Sequence, residues 1–281
     1  MTPGGTDWGS YNKWDGMEFA GKLVVCDLFL FANQHPSDYD NIYRPGYDIA
    51  GSRIFTNSWA FWYSWDGEPQ GKYTTRSRMV DEFMWAHSDA LVIFVAHNDG
   101  PAPMTIRQES AAKDIITVGA SQNADDPDCP GIATNPENMA SFSGRGPTAD
   151  GRLKPTLVSP GERVRSAQSG TTSGYTCLQG TSMAAPSVAG AAAQVRQYFV
   201  DGWYPTGSAV AANRRDPSAA LLKAVLTNGA TEISGTGSHA IPYQRDGRSM
   251  PYPNNDQGWG RLRLWESLYF ADGAPWDPKR P

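Results

Sequence analysis

The stretch "GTSMAAP" at 180–186 puts the hydroxyl of Ser182 just ahead of a proline and of an alanine-rich run that continues to Phe199. A hydroxyl at a helix N-terminus lies beside unsatisfied N–H groups and the positive end of the helix dipole. Negative charge that develops there is stabilised, so nucleophilic acyl transfer is one chemistry the position permits. An ordinary N-cap serine has the same appearance. The second candidate is Asn98 in "AHNDG" at 96–100, directly after an apolar run. On its own residues Asn98 reads as a turn residue in "HNDG".

Both residues depend on the elements around them. Residues 22–31, "KLVVCDLFLF", form a continuous apolar run of strand length and are read as a strand buried on both faces, with Cys26 inside it. "SRIFTNSW" and "DALVIFVAHN" repeat the pattern, and between them Met79, Val80, Phe83, Met84 and His87 recur at helical spacing. "DIITVGASQ" and "KPTLVSPGERVRSA" each supply one more strand. "DPSAALLKAVLTNGA" reads as a helix, with Pro217 near its start and Asn228-Gly229 at its end. Alternation of this kind predicts an α/β fold, a mostly parallel sheet flanked by helices. The small residues Ala184, Ala185, Ala189, Gly190, Ala191 and Ala192 let backbone approach the Ser182 helix from nearly every side, so that helix is expected inside the protein. Pro186 is expected in its first turn, where no intrahelical bond needs the missing N–H.

Composition narrows the function classes. A formal net charge of -5 with 24 scattered Lys and Arg offers no basic footprint for nucleic acid, and no apolar run approaches the length of a membrane span. Three cysteines are too few for a disulfide scaffold and have no metal-ligand spacing.

"GTSMAAP" resembles the nucleophile motif of the subtilisin-like serine proteases, the subtilases. "TNSWA" resembles their substrate-binding strand, "LVIFVAHNDG" the strand ending in the oxyanion asparagine, and "IITVGAS" the strand that follows. "MASFSGRGPTADGRLKPTLVSPG", "PSAALLKAVLTNGA" and "NNDQGWGRLRL" are similar to the segments that come next in the family, in the branch with an extra C-terminal β-domain. The resemblance implies a serine endopeptidase acting on proteins or peptides. It makes Ser182 the nucleophile and Asn98 the oxyanion donor, and puts Ser58, Trp59, Ala60, Ala96 and His97 along the substrate. It implies no cofactor for the chemistry and a secreted or extracellular parent protein. "NADDPD" reads as a solvated acidic loop, with a structural calcium site as the alternative.

The family's Asp-Thr/Ser-Gly and His-Gly-Thr motifs occur nowhere in the sequence. The resemblance therefore implies a domain incomplete at its N-terminus, with residues 1–270 as its partial peptidase domain, 271–281 as a tail, and no activity alone. His35, His87, His97 and His239 are the histidines from which a substitute base would have to come. The alternative is a pseudoprotease that binds extended peptides along "TNSWA" by strand addition. A carbohydrate-binding surface built from the tryptophans is a further reading, against which Trp59, Trp85 and Trp259 are expected in the core or groove.

Several positions depart from the family pattern. Ala60 and His97 stand where glycine is usual, in walls of the pocket for the side chain before the scissile bond, which implies a preference for small residues there. Glu18 replaces alanine, Arg107 and Glu109 replace glycine and proline, and Thr156 replaces the aspartate of Lys-Pro-Asp. The family's fold brings the loops of Cys129 and Cys177 to one side, which implies a bridge between them and leaves Cys26 out of it.

Overall fold

The computed structural model describes residues 16–18, 20–26, 39–59, 70–124, 126–129, 135–235 and 252–271. Within it β1 (Ile54–Asn57), β2 (Leu91–Val95), β3 (Ile116–Ser121) and β4 (Leu157–Pro160) stand side by side in chain order, all parallel. β2 and β3 are buried at every position, as continuous apolar runs require when both faces of a sheet are covered. β8 (Arg261–Leu262) adds parallel to β4, and β7 (Ala230–Thr231) pairs antiparallel with β8 at the edge. β5 (Val164–Ala167) and β6 (Tyr175–Leu178) form a separate antiparallel hairpin that runs directly into the Ser182 helix. The expected architecture, mostly parallel with flanking helices, is the one found.

Four α-helices cover the sheet among the described residues: α1 (Tyr39–Arg44), α2 (Thr75–Ala86), α3 (Thr181–Val200) and α4 (Ala219–Asn228). α2 begins at a reciprocal cap between Thr74 and Ser77 and buries Val80, Phe83 and Met84. α4 begins where Ser218 Oγ accepts from Leu221 N at 3.2 Å and ends at Asn228, as its sequence predicts. α3 lays Ala184, Ala185, Val188, Ala191, Ala192 and Val195 across β1 to β4, and these small side chains let the helix approach the sheet closely. Its other face is only half-covered. There Met17 lies against Gly190, where an added Cβ would come within 2.6 Å of the Met17 Cβ.

Some expectations change. Residues 22–26 form no strand, and Leu23, Val24, Val25 and Cys26 are exposed, while 27–31 lie outside the described residues. A fully apolar run needs sheet on both sides, and among the described residues β1 has a strand partner only in β2. "KPTLVSPGERVRSA" supplies two strands, β4 and β5, because the Pro-Gly at 160–161 breaks the run. α1 and the π-helical turn Pro45–Ile49 that continues it were not anticipated. Trp85 is 87% exposed, not core, and with Trp259, Tyr252 and Met84 lines a groove of about 1090 Å³ beside α4. Thr156 Oγ1 accepts from Thr117 N at 3.1 Å, while buried Lys154 donates to Ala112 O and Thr117 Oγ1, each at 2.7 Å. With no carboxylate among these partners, burial holds the Lys154 pKa well below its usual range.

Cys129 and Cys177 are bridged, with Cα atoms 5.8 Å apart. Cys177 lies within β6, not in a loop, and the Asp128–Arg165 ion pair ties the Cys129 segment to β5, where Arg165 pairs with Cys177 across the hairpin. Closing 48 residues of chain in this way stabilises the fold by about 4 kcal/mol in the loop-entropy description. Cys177→Ser is expected to lower stability by a few kcal/mol in a thermal melt, and an unchanged melting temperature would contradict this.

Candidate active site

Gly180 caps the start of α3, and its φ of 145° suits only glycine. Gly180 N donates to Gly161 O at 2.8 Å, fixing the approach to the helix. Thr181 N and Thr181 Oγ1 both donate to Asn98 Oδ1, at 2.9 and 3.0 Å. With its oxygen occupied, the exposed Asn98 amide has its NH₂ left as donor, the half an oxyanion needs. Thr181 thus orients Asn98. Sequence reading missed this, although Thr181 lies inside the Ser182 motif.

Ser182 is the second helical residue and is half-buried. Its Oγ makes a long contact of 3.5 Å to Ser58 O. In return Ser58 Oγ donates to Ser182 O at 3.2 Å. That carbonyl is free because Pro186, four residues on, has no N–H. Pro186 therefore lies in the second turn, not the first as expected, and the bond it forfeits is replaced by one from the end of β1.

Ser58 and Trp59 leave the C-terminal end of β1, and Ala96, His97 and Asn98 that of β2, the neighbouring parallel strand. Ser58 and Asn98 are exposed, Trp59 is half-buried, and Ala96 and His97 are buried. Ala60 lies outside the described residues. Trp59 stacks on Tyr39 with centroids 6.1 Å apart and meets Phe94 edge-on at 5.3 Å. Two of the three charged departures from the family pattern, Arg107 and Glu109, are paired in place. Arg107 grips Asp99 through two bonds of 2.7 and 3.0 Å, and buried Glu109 accepts from Tyr39 Oη at 2.8 Å and from Arg76 at 3.3 Å.

Neither described histidine attends Ser182. His97 Nε2 is 2.9 Å from Ser110 Oγ, and burial, with the Arg107 charge added, lowers its pKa to about 3 against the opposing pull of Asp99. His87 closes α2 with Nδ1 2.9 Å from Phe83 O. His35 and His239 lie outside the described residues. In the acidic loop Asp126 caps Asp128 N and Asp128 pairs with Arg165, and no group of three or more acidic, His or Cys side chains is placed to hold a metal among the described residues. No helix among them is long and apolar enough to cross a membrane.

The sequence model described as the Subtilase family matches residues 22–260. The chain is 29% identical to Serine protease/ABC transporter B family protein tagB of Dictyostelium discoideum, covering 99% of this chain and 19% of that protein. Pyrolysin of Pyrococcus furiosus is 31% identical over 69% of this chain and 14% of its own length. The chain thus spans about a fifth or less of these relatives. Among solved structures, the prenylagaramide maturation protease PagA shares the fold with a TM-score of 0.51 at 17% identity, covering 79% of this chain and 62% of that one.

Proposed function

The chain belongs to the subtilase family, and from that premise we propose that it carries the nucleophile and oxyanion hole of a serine endopeptidase whose base and orienting carboxylate come from outside these 281 residues. One observation supports the reading above the others. The N-terminus of α3 presents the Ser182 hydroxyl while Thr181 anchors the oxygen of Asn98 and leaves its NH₂ free. In this reading the Ser182 oxygen attacks a peptide carbonyl, and the new oxyanion takes hydrogen bonds from the Ser182 backbone N–H and from Asn98 Nδ2. The long contact to Ser58 O leaves the hydroxyl protonated, and an imidazole is needed to take its proton. The substrate is a protein or peptide lying extended beside Ser58 and Trp59, and no cofactor takes part. Calcium, if bound, is structural. The parent protein acts in an oxidising, extracellular setting, in keeping with the Cys129–Cys177 bridge.

The test joins this chain to the Asp- and His-bearing part of a close relative. In that enzyme Asn98→Ala should lower kcat about 100- to 1000-fold, a range established on an oxyanion asparagine of this family, with KM nearly constant. A change in KM alone would remove Asn98 from the oxyanion hole.

A further inference from the structure

The groove beside α4 lies at the opposite end of the sheet from Ser182. Ser88, Asp114 and Thr156, which line it, precede β2, β3 and β4, whereas Ser58 and Asn98 follow the C-terminal ends of β1 and β2. Its volume is about 1090 Å³, and Trp85, Tyr252 and Trp259 open into it with exposures of 87%, 41% and 40%. Tyr252 Oη donates to Trp259 O at 2.9 Å and holds the two rings edge to face at 6.3 Å. The indole N–H groups of Trp85 and Trp259 have no acceptor among the described residues. Rings gathered in one exposed groove mark a surface that another group covers.

α4 contributes Ala220 and Ala224, one turn apart on one face, so the groove has small methyl groups beside its rings. Lys223 is turned aside, its Nζ donating to Lys113 O at 2.9 Å and Asp114 O at 3.2 Å. Carboxylates remain at the groove. Asp114 lines it and is exposed, and burial and, after it, the charge of exposed Glu232 raise the Tyr252 pKa, which places that carboxylate beside the ring.

Past Ala271 the sequence reads "DGAPWDPKRP", residues 272–281, outside the described residues, with Pro275, Pro278 and Pro281 spaced by three. A polyproline II chain has three residues per turn, so such prolines share one edge, and its carbonyls make no internal hydrogen bonds. Proline rings dock in aromatic-lined grooves, and indole N–H groups can donate to the free carbonyls. Lys279 and Arg280 are complementary to Asp114 and Glu232. The chain has already reached α4 before this segment begins. Arg263 N donates to Gly229 O and Ser267 Oγ to Val225 O, each at 2.9 Å, and Ala271 N then donates to Gly207 O at 3.1 Å. Ten polyproline II residues span about 31 Å, twice the roughly 15 Å length of α4, so the segment is long enough to cross the helix and lie along the groove.

We propose that residues 272–281 dock in this groove as a polyproline II strand, with the prolines against Trp85, Tyr252 and Trp259 and the Lys279-Arg280 pair toward Asp114 and Glu232. Docking fixes the path of the chain beyond Ala271 at the end of the sheet remote from Ser182. It does not depend on the peptidase reading.

The experiment uses the full chain and reads both partners. Hydroxyl-radical footprinting with mass spectrometry follows oxidation of Trp85, and timed trypsin digestion follows cleavage after Lys279. The triple variant Pro275→Ser, Pro278→Ser, Pro281→Ser should raise Trp85 oxidation about fivefold, and Trp85→Ala should raise cleavage after Lys279 about tenfold, because attack follows the population of the undocked segment. A synthetic peptide of sequence DGAPWDPKRP added to the proline variant should restore the protection of Trp85. The proline variant changes nothing within the described fold, so its footprint decides the matter if Trp85→Ala does not fold. Trp85 oxidation equal in the parent and the proline variant, or cleavage after Lys279 unmoved in folded Trp85→Ala, would overturn the proposal. Protection that grows with chain concentration would also overturn it, by assigning the groove to a second copy.

Discussion

The purified 281-residue chain is expected to hydrolyse neither casein nor a peptide panel at a useful rate, although Ser182 and Asn98 are in place. The hydroxyl has Ser58 O as its neighbour at 3.5 Å, and the two described histidines are committed to Ser110 and to the end of α2. A serine without a base stays protonated near neutral pH. In the family's prototype, loss of triad members leaves about a thousand- to ten-thousandfold advantage over water, far below practical turnover. Joining the chain to the Asp- and His-bearing part of a relative should raise activity by at least about a thousandfold and also improve solubility. Leu23, Val24 and Val25 are exposed, and the outer edge of β1 has no strand partner among the described residues, the kind of edge that promotes association. Hydrolysis of casein by the chain alone, abolished by Ser182→Ala, would overturn this expectation.

The second large effect lies away from Ser182. Arg145 Nη1 and Asp256 Oδ1 are 3.1 Å apart, and both side chains are 1% exposed. Arg145 Nε also donates to Ser143 O at 3.0 Å, in the loop whose Gly144 N donates to His97 O at 2.7 Å. The ion pair thus joins the closing turn at 254–258 to the loop that supports the β2 end. Asp256→Ala leaves a buried guanidinium without its counter-charge, which costs about 3–5 kcal/mol. Thermal melting should fall by about 10 °C for a chain of this size. The double variant Arg145→Met, Asp256→Ala should lose less than the sum of the single changes, since the stranded charge is gone. A loss below about 1 kcal/mol for Asp256→Ala would mean that water or another group reaches Arg145.

What could be read in the sequence follows from what is local. β2 and β3 are apolar runs of strand length, α2 shows Met79, Val80, Phe83 and Met84 at helical spacing, and α4 has Pro217 near its start and Asn228-Gly229 at its end, so these elements were legible. Ser182 and Asn98 stood out through the resemblance, and the structure brings them together through Thr181. The strand expected at 22–31 failed over its first five residues because burial depends on neighbours, and an apolar run cannot state whether a partner is present. Tyr39 and Ser110 gave no signal either, and Glu109 stood out only as a departure from the family pattern, not for its partner. They lie on short helical turns with no periodicity, and their roles arise from contacts spanning 13 to 70 residues. Pro186 was misplaced by one turn because its compensation, the Ser58 hydroxyl, comes from 124 residues away.

Ser182 is expected to act as a nucleophile only when a base is supplied to it from another polypeptide segment. The most direct measurement treats the chain with a fluorophosphonate probe, alone and together with the Asp- and His-bearing part of a relative, and maps the adduct by mass spectrometry. An adduct on Ser182 is expected in the complemented sample, absent with Ser182→Ala and scarcely detectable in the chain alone. Equal labelling of Ser182 with and without the added part, or an adduct on another serine, would contradict it.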